Sequence, residues 1–391
     1  MTQTKKIKER MDNYVFLNVT SNYPHQFTAG NTKMEYMALG LKELGASITV
    51  INSISSNTKE DKDETGISEK GIEYITFNSH KRFKFFSNIK QTYKLLKSKK
   101  VNGHNAVIMA TSRTNKMLID ILIAKIVGYK TLFLFHEWRS ALKMHSLFHR
   151  IDAWLKDHFV IHFFDAYLPI SHFLLEKCNN VSKSKKKLIV PILADYDKEP
   201  MKYTVKPQFS YCCGVWYMMR NTLLLDAMDK LVKDYGNAEM VLILSGNEKD
   251  IALFRESIKE RPCASNIKIM TKVPFDELNE IYGSSMGLII PLDPESIADI
   301  ARFSQKVAEY VATGRPIITN AVGEMPYYFK ENVSACFAHY SAEGFYTSMK
   351  MLLNDTQKAD DIGYNGFMIG RHNFDYRKLG KEINQFLISM K

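Results

Sequence analysis

The residues whose types and spacing best suit chemistry lie in the run Phe303–Ile318. A polar loop precedes a predicted helix there, and a glycine and a proline then end the helix and lead into a buried strand. A helix N-terminus presents unpaired N–H groups and partial positive charge, so Ser304, Gln305 and Lys306 are candidates to hold a diphosphate without a metal. Glu309 lies among mostly apolar helix positions, where a carboxylate needs partners such as the vicinal hydroxyls of a ribose.

This run resembles the signature of the retaining, family 4 type glycosyltransferases of GT-B architecture, in which a Glu precedes a small-residue helix end and a Gly-x-Pro step into a strand. The resemblance implies that Glu309 contacts the donor ribose. The family usually has a second Glu, eight positions earlier, that contacts the donor sugar, and this chain has Ala301 there. Either Asp299 or Glu295 takes over that role, or the donor differs. The alternative is an ordinary Rossmann helix between two strands.

A second resemblance lies at Cys213–Arg220. In the family this loop carries a Gly, an Arg just after it and a Lys six positions after the Gly, and the two cations neutralise the donor diphosphate. This chain keeps Gly214, has Arg220 at the Lys position and has Val215 in place of the Arg. Arginine grips phosphate oxygens in bidentate fashion, so Arg220 suits the role, although a surface Arg at a helix start is the alternative. A weaker resemblance implies that the backbone around Val273 meets the nucleobase.

In the first half, Ala29 and Gly30 resemble the family's glycine-rich loop, with one glycine kept; a ligand-binding and a purely conformational role for Gly30 both remain open. His136 and Glu137 follow the predicted strand Thr131–Phe135. The family commonly has a His there that faces the donor sugar, which implies this role for His136. Retaining transfer builds positive charge at the anomeric carbon, which neighbouring groups must stabilise. We expect His136 and Glu137 to be the catalytic pair, with Glu137 orienting an acceptor hydroxyl, although a structural His is common after a strand.

The elements that must position these residues alternate between strand and helix. A strand at Tyr14–Val19, a helix over 34–44 and a strand at Ser47–Ile51 open the chain, and the same rhythm restarts after residue 208. This pattern predicts an α/β fold of two Rossmann-like domains facing across a cleft, the GT-B architecture. The expected division is an acceptor-side domain at 1–190, a linker at 191–208, a nucleotide-sugar-binding domain at 209–372 and a C-terminal helix at 373–391 that packs back on the first domain.

The charge of the chain is one-sided. Residues 1–200 hold 31 Lys and Arg against 19 Asp and Glu, whereas the remainder holds 22 against 23. Such a field typically meets an anionic surface or phosphorylated ligands, and surface lysines that only aid solubility are the alternative. The five cysteines are scattered without a CxxC, which predicts reduced thiols and no structural zinc. The start of the chain does not resemble a signal peptide, and lysines and an aspartate interrupt the apolar stretch Met117–Phe135.

The segment 80–100 contains eight Lys and Arg and no acid, and its apolar residues recur three or four apart: Phe83, Phe85, Phe86, Ile89, Tyr93, Leu95 and Leu96. This pattern is typical of a basic amphipathic helix lying on an anionic membrane surface. A nucleic-acid patch and an ordinary helix whose apolar side faces the core are the alternatives.

These observations predict a glycosyltransferase that moves a sugar from a nucleotide-sugar donor to a glycan or lipid-linked acceptor, with retention, in cell-surface polysaccharide or glycolipid assembly. The expected enzyme is hexosyltransferase-like and metal-independent, needs no cofactor besides the donor, binds no nucleic acid, and is cytoplasmic and peripheral at the inner face of the membrane. The alternatives are a nucleotide-sugar hydrolase or epimerase of the same fold, and a non-catalytic basic protein that binds membrane or nucleic acid. A nicotinamide enzyme is disfavoured because no GxGxxG follows a strand.

Overall fold

The computed structural model describes residues 11–17, 23–25, 28–52, 63–77, 84–110, 113–142 and 146–390, except for the side chains of residues 84–87, 220 and 275. The chain divides into two compact units. Unit 1 comprises Met1–Leu193, Ala301–Phe303 and Tyr376–Lys391, and unit 2 comprises Ala194–Ile300 and Ser304–Asp375. Within the predicted linker, Ile192 and Leu193 are fully buried, and the last three residues already belong to a strand of unit 2.

Unit 1 is built on an eight-stranded sheet of order β3-β4-β2-β1-β5-β6-β7-β8. All neighbouring strands are parallel except β3 and β4. The central strand β1 is apolar at four of five positions and buried at every position, as a strand covered on both faces requires. The strands are β1 Asn13–Leu17, β2 Ser47–Asn52, β3 Glu64–Ile67, β4 Glu73–Thr76, β5 Asn105–Met109, β6 Lys130–Phe135, β7 Ala166–Pro169 and β8 Lys186–Lys187.

The helices of the first half connect these strands on both faces of the sheet. Because parallel crossovers are right-handed, α1, which connects β1 to β2, covers one face, and α2, α3 and α4, which step the other way along the sheet, cover the opposite face. The bounds are α1 Ala29–Lys42, α2 Lys84–Lys99, α3 Thr114–Val127, α4 Leu147–His158 and α5 His172–Val181, with short 3-10 turns at Arg139–Ala141 and Val160–Phe163.

Unit 2 is built on a six-stranded parallel sheet of order β11-β10-β9-β12-β13-β14. Its strands are β9 Lys206–Gly214, β10 Glu239–Ser245, β11 Ile267–Met270, β12 Ser285–Ile290, β13 Ile317–Thr319 and β14 Cys336–Phe337. The helices of the second half are α6 Val215–Arg220, α7 Leu223–Asp234, α8 Glu248–Ser257, α9 Phe275–Gly283, α10 Ile297–Ala301, α11 Gln305–Val311, α12 Met325–Tyr328, α13 Ala342–Asn354, α14 Thr356–Asn373 and α15 Tyr376–Ile388, with a 3-10 turn at Ala264–Asn266. Because all strands run the same way, the loops after β9, β10, β11 and β12 meet at one edge.

The last helix, α15, belongs to unit 1, where it crosses α1 at a glycine pair. A Cβ added at Gly40 would lie 2.5 Å from the carbonyl oxygen of Tyr376, and one at Gly380 would lie 2.7 Å from the Cα of Gly40. Only glycine permits so close an approach of the two backbones. The approach buries Leu379 and Ile383 of α15 in the core of unit 1.

The basic segment 80–100 contains α2, and the described part of this helix faces the core. Thr92 and Leu96 are buried, whereas Lys90, Lys94 and Lys97 are exposed. The expectation that the Leu96 side chain belongs to a lipid-facing side is therefore wrong, because this residue packs into unit 1. Phe83 and the side chains of Phe85 and Phe86 lie outside the described residues.

Candidate donor-binding and catalytic residues

Helix α11 carries the residues singled out for a diphosphate. Ser304 is its N-cap residue with extended backbone, and the Ser304 side chain makes no capping hydrogen bond to the helix. Gln305 is buried in the first turn and Lys306 is partly exposed. Gly314, with φ of 70°, follows the helix, and the next strand, β13, begins directly after Pro316. The structure thus places a positive helix terminus and a lysine at the carboxyl edge of the sheet of unit 2.

Glu309 lies one turn beyond Lys306 on the same helix. Its side chain is partly exposed, and among the described residues no group forms a hydrogen bond or ion pair with its carboxylate. Burial raises the pKa of Glu309, and the positive charge of Lys306 acts in the opposite direction. The carboxylate is therefore an open acceptor of hydrogen bonds, held in a partly desolvated environment.

Three residues that the sequence did not single out hold α11 against β9. The Tyr310 hydroxyl is fully buried and accepts a hydrogen bond from the backbone N–H of Cys212 at 3.0 Å. Tyr282 packs edge to face against Tyr310, with 4.8 Å between ring centroids. Burial raises the pKa of the Cys212 thiol, and both Lys306 and Glu309 lie close enough to influence it. A tyrosine next to a carboxylate in an apolar helix was the available sequence signal.

The predicted loop Cys213–Arg220 is largely helical, because α6 starts directly after β9. Gly214 is the N-cap residue of α6, and a Cβ there would lie 2.7 Å from the indole nitrogen of Trp216. Val215, which stands where the family has an Arg, is buried and packs beneath Gly246. It fills the core and leaves no room for a cation at this position. Arg220 is the last residue of α6, and its side chain lies outside the described part of the chain.

The loop after β11 reaches the same edge of the sheet. Lys272 adopts a left-handed backbone with φ of 53°, and Pro274 is the N-cap residue of α9. Between them, Val273 is partly exposed. The parallel order β11-β10-β9-β12 therefore brings Gly214, Val273 and the start of α11 to one edge of unit 2.

The candidates for the missing sugar-contacting Glu differ in their surroundings. The Asp299 carboxylate accepts a hydrogen bond from the backbone N–H of Asp293 at 3.2 Å, so it helps to fold the loop after β12. The Glu295 side chain is exposed. Ala301 is buried, and its carbonyl accepts a hydrogen bond from the Ser171 hydroxyl at 2.6 Å within unit 1. A longer acidic side chain at position 301 would enter a packed environment.

In unit 1, His136 lies directly after β6, and its pKa is influenced by Lys33, a residue that the sequence reasoning missed. Its Nε2 atom is buried and has no hydrogen-bond partner. Burial, together with the charge of Lys33, lowers the pKa of His136 well below its usual value. The Lys33 side chain is buried, its Nζ donates to the carbonyl of Val190 at 2.6 Å, and burial lowers its pKa as well. Lys33 stands on the apolar stripe of α1, four residues before Met37, which was the available signal.

The other two candidates of unit 1 lie in different surroundings. The Glu137 carboxylate is 42% exposed and lies 3.9 Å from the Nε atom of Arg139. Gly30 belongs to the first turn of α1, whose N-cap Thr28 accepts a hydrogen bond from the N–H of Asn31. Gly30 is not among the described residues with positive φ, so a left-handed backbone does not require glycine at this position. In the first helical turn, backbone N–H groups are placed where they can bind an anion.

Among the described residues, no group of three His, Cys, Asp or Glu side chains could hold a metal ion. Within the same part of the chain, no helix is both long and apolar enough to cross a bilayer. All five cysteines are free thiols.

Comparison with known proteins finds a match to a family model in the second half of the chain. Residues 207–355 match the family of glycosyl transferases group 1. A search of curated protein sequences found no match.

Solved structures share the fold over nearly the whole chain. A sucrose-phosphate synthase from Thermosynechococcus elongatus has a TM-score of 0.72 at 12% identity, covering 96% of this chain and 98% of that chain. HepE from Anabaena, in complex with UDP-glucose, has a TM-score of 0.72 at 10% identity, covering 96% and 99%. A glycosyltransferase from Rickettsia africae has a TM-score of 0.70 at 14% identity, covering 97% and 98%. The predicted fold class, α/β with two parallel-sheet domains as in the GT-B glycosyltransferases, is confirmed.

Proposed function

We propose that this chain is a glycosyltransferase that moves a sugar from a nucleotide-sugar donor to an acceptor. The observation that carries the proposal is that Lys306 and the unpartnered carboxylate of Glu309 lie one turn apart on α11, within the residues that match the glycosyl transferases group 1 family. A diphosphate at the start of α11 gains from the helix terminus and from Lys306. The adjoining ribose then supplies the hydroxyl donors that Glu309 lacks.

For the donor we propose a UDP-hexose. Solved structures with the same fold include HepE in complex with UDP-glucose and the pneumococcal O-GlcNAc transferase GtfA in complex with UDP and GlcNAc. The backbone around Val273, at the same sheet edge as the start of α11, is assigned to the nucleobase. Gly214 is assigned to the diphosphate because its loop resembles the diphosphate-binding loop of the family, and Gly30 is assigned to an anionic group of a ligand.

We assign the sugar to His136. Its lowered pKa keeps the imidazole neutral, and its Nε2 atom has no partner, so it is available for a hydrogen bond to a sugar hydroxyl. In the proposed retaining reaction, the bond between the anomeric carbon and the diphosphate breaks, the acceptor oxygen bonds to that carbon, and the acceptor proton passes to the leaving diphosphate. Lys306 and the start of α11 stabilise the leaving charge, which is why we propose metal-independent transfer. Glu137, with an exposed carboxylate, is assigned to the acceptor hydroxyl.

The acceptor we propose is a glycan or a lipid-linked saccharide, in assembly of a cell-surface polysaccharide or glycolipid at the cytoplasmic face of a membrane. The basic first half of the chain, and the exposed lysines Lys90, Lys94 and Lys97 of α2 in particular, support an anionic surface as the place of work.

Calorimetric titration of UDP and of uridine tests the donor site. The Lys306→Met variant should bind UDP about 10-fold to 100-fold more weakly, since a charge-assisted contact is lost, and should bind uridine unchanged. The matched control is Lys233→Met, which removes an exposed lysine at the end of α7, towards the opposite edge of the sheet. Equal losses for both ligands in Lys306→Met would contradict the assignment.

Activity against UDP-glucose, with and without added saccharide acceptors, tests the reaction. Product that contains both sugar and acceptor supports transfer. Release of free sugar at the same rate with and without acceptor would instead indicate a nucleotide-sugar hydrolase.

A further inference from the structure

Helix α4 of unit 1 is oriented with its acidic residues and Lys156 inward. The Lys156 side chain is buried and pairs with Asp152 at 2.6 Å, while Asp152 also accepts from the N–H of Thr114. Asp157 is buried and accepts from the backbone and the hydroxyl of Ser140, both at 2.7 Å. Both acids of α4 therefore form interactions inside the unit, and the opposite face of the helix is exposed to solvent.

That outward face carries large apolar and aromatic side chains, together with the exposed residues His149, Arg150 and His158. Phe148 is 70% exposed and Trp154 is 54% exposed. Six further apolar residues of this region are exposed. They are Leu147 and Ile151 on α4, Phe159 between α4 and the next 3-10 turn, Phe163 in that turn, and Leu122 and Ile126 on the neighbouring α3. Half of an aromatic side chain represents about 100 Å² of surface. The eight residues together exceed the few hundred Å² of contiguous apolar surface that monomeric proteins usually expose.

Positively charged side chains lie at two borders of this apolar surface, and the acids of α3 and α4 form ion pairs or hydrogen bonds inside the unit. Helix α2, which packs beside α3 on the same face of the sheet, contains no acid and presents three exposed lysines. The one acid of α3, Asp120, is buried and paired with Lys116 at 2.7 Å. At the far end, Lys185 donates to the carbonyls of His162 and Phe164, which places the basic run 183–187 beside the 3-10 turn. This charge pattern is complementary to anionic headgroups.

We propose that the outer layer of α3, α4 and the Val160–Phe163 turn inserts into the interface of an anionic lipid membrane, while the lysines of α2 and of residues 183–187 contact the headgroups. Apolar side chains fix the depth of such a helix, and cations hold it at a charged surface. The insertion surface therefore differs from the one expected on α2, where Leu96 is fully buried in unit 1.

Flotation with phosphatidylcholine vesicles containing phosphatidylglycerol tests the proposal, and it needs no donor or acceptor, so it is independent of the proposed reaction. The double variant Phe148→Ser, Trp154→Ser should lower the bound fraction about tenfold or more at low salt, because the inserted rings are lost. The control Leu253→Ser, which changes an exposed leucine on α8 of unit 2, should bind like the wild type. Thermal unfolding of all variants shows that they are folded.

Fluorescence with brominated acyl chains reports insertion directly. The wild type should be quenched, Trp154→Phe should lose the quenching, and Trp216→Phe, which removes an exposed tryptophan of unit 2, should keep it. Wild-type protein that ignores the vesicles at low salt, or a bound wild type without quenching, overturns the proposal. The proposal is also overturned if the wild type forms a dimer, does not bind vesicles, and becomes monomeric in the Phe148, Trp154 double variant. A second copy of the chain would then cover this surface.

Discussion

Replacement of Glu309 by glutamine should stabilise the ligand-free protein and weaken its binding of UDP. The carboxylate is partly buried and lacks a partner among the described residues, and burial raises its pKa above the ordinary value of 4.5. The folded state therefore binds the proton more tightly than the unfolded state, and the wild type loses stability as the pH rises from 4.5 through the raised value. Glutamine removes this loss, so the gain from Glu309→Gln should be small at acidic pH and largest at neutral pH.

The magnitudes follow from the same environment. A partly exposed, unpaired carboxylate costs on the order of 1 kcal/mol relative to the amide, which corresponds to a rise in Tm of about 2–4 °C for a unit of this size. Charge-assisted bonds to ribose hydroxyls contribute about 1.5–3 kcal/mol, and the amide oxygen keeps part of this, so the Kd for UDP should rise about tenfold.

Thermal unfolding across pH and calorimetric titration of UDP measure the two effects of Glu309→Gln. The matched control is Glu260→Gln, an exposed glutamate of unit 2, which should change neither. A variant that binds UDP as the wild type does, or that is less stable at neutral pH, would refute the reasoning.

Two further predictions concern unit 1. Gly380→Ala should lower the free energy of unfolding by about 1–3 kcal/mol in urea titrations, because its Cβ meets the backbone of Gly40 at 2.7 Å. The control Gly236→Ala should be tolerated, because its Cβ has no neighbour nearer than 3.9 Å. Equal stability of the two variants would contradict the close crossing of the helices. His136 has a lowered folded pKa, so the unfolded state takes up its proton first and stability should fall as pH drops below about 6.5, by at most about 1.4 kcal/mol per pH unit. His136→Asn should flatten this part of the profile, and an unchanged slope would show that other groups cause it.

The sequence predicted α11 well because its start and end depend on local backbone chemistry. A polar N-cap, a glycine in the left-handed region and a proline before the strand act within a few residues, and the structure has each of them where the pattern indicates. The helix α6 was missed for the converse reason. Gly214 is a weak N-cap signal, and the Val-Trp-Tyr run that follows resembles a strand by composition. In the fold, Gly214 starts the helix and Val215 packs under Gly246.

Lys33 and α4 show a second limit of sequence reasoning. Hydrophobic periodicity indicates that a helix has two faces, but the direction of those faces depends on tertiary partners. Lys33 stands on a stripe that enters the core, where the carbonyl of Val190 and the neighbouring His136 are its surroundings. On α4, Asp152 and Asp157 accept hydrogen bonds from Thr114 and Ser140 inside the unit, so the apolar side chains of the helix face outward. None of these partners lies close in the sequence to the residue that it contacts.

The two departures from the family pattern, Val215 and Ala301, replace side chains of opposite charge. Val215 replaces a cation and is buried, and Ala301 replaces an acid and is buried as well. The loss of the cation at position 215 leaves fewer positive side chains for a diphosphate at the proposed donor site. Among the side chains that the structure describes at this edge, Lys306 is the cation that acts on Glu309 and Cys212 alike. Its removal should therefore weaken diphosphate binding more than the loss of one cation does in a relative where two share the charge.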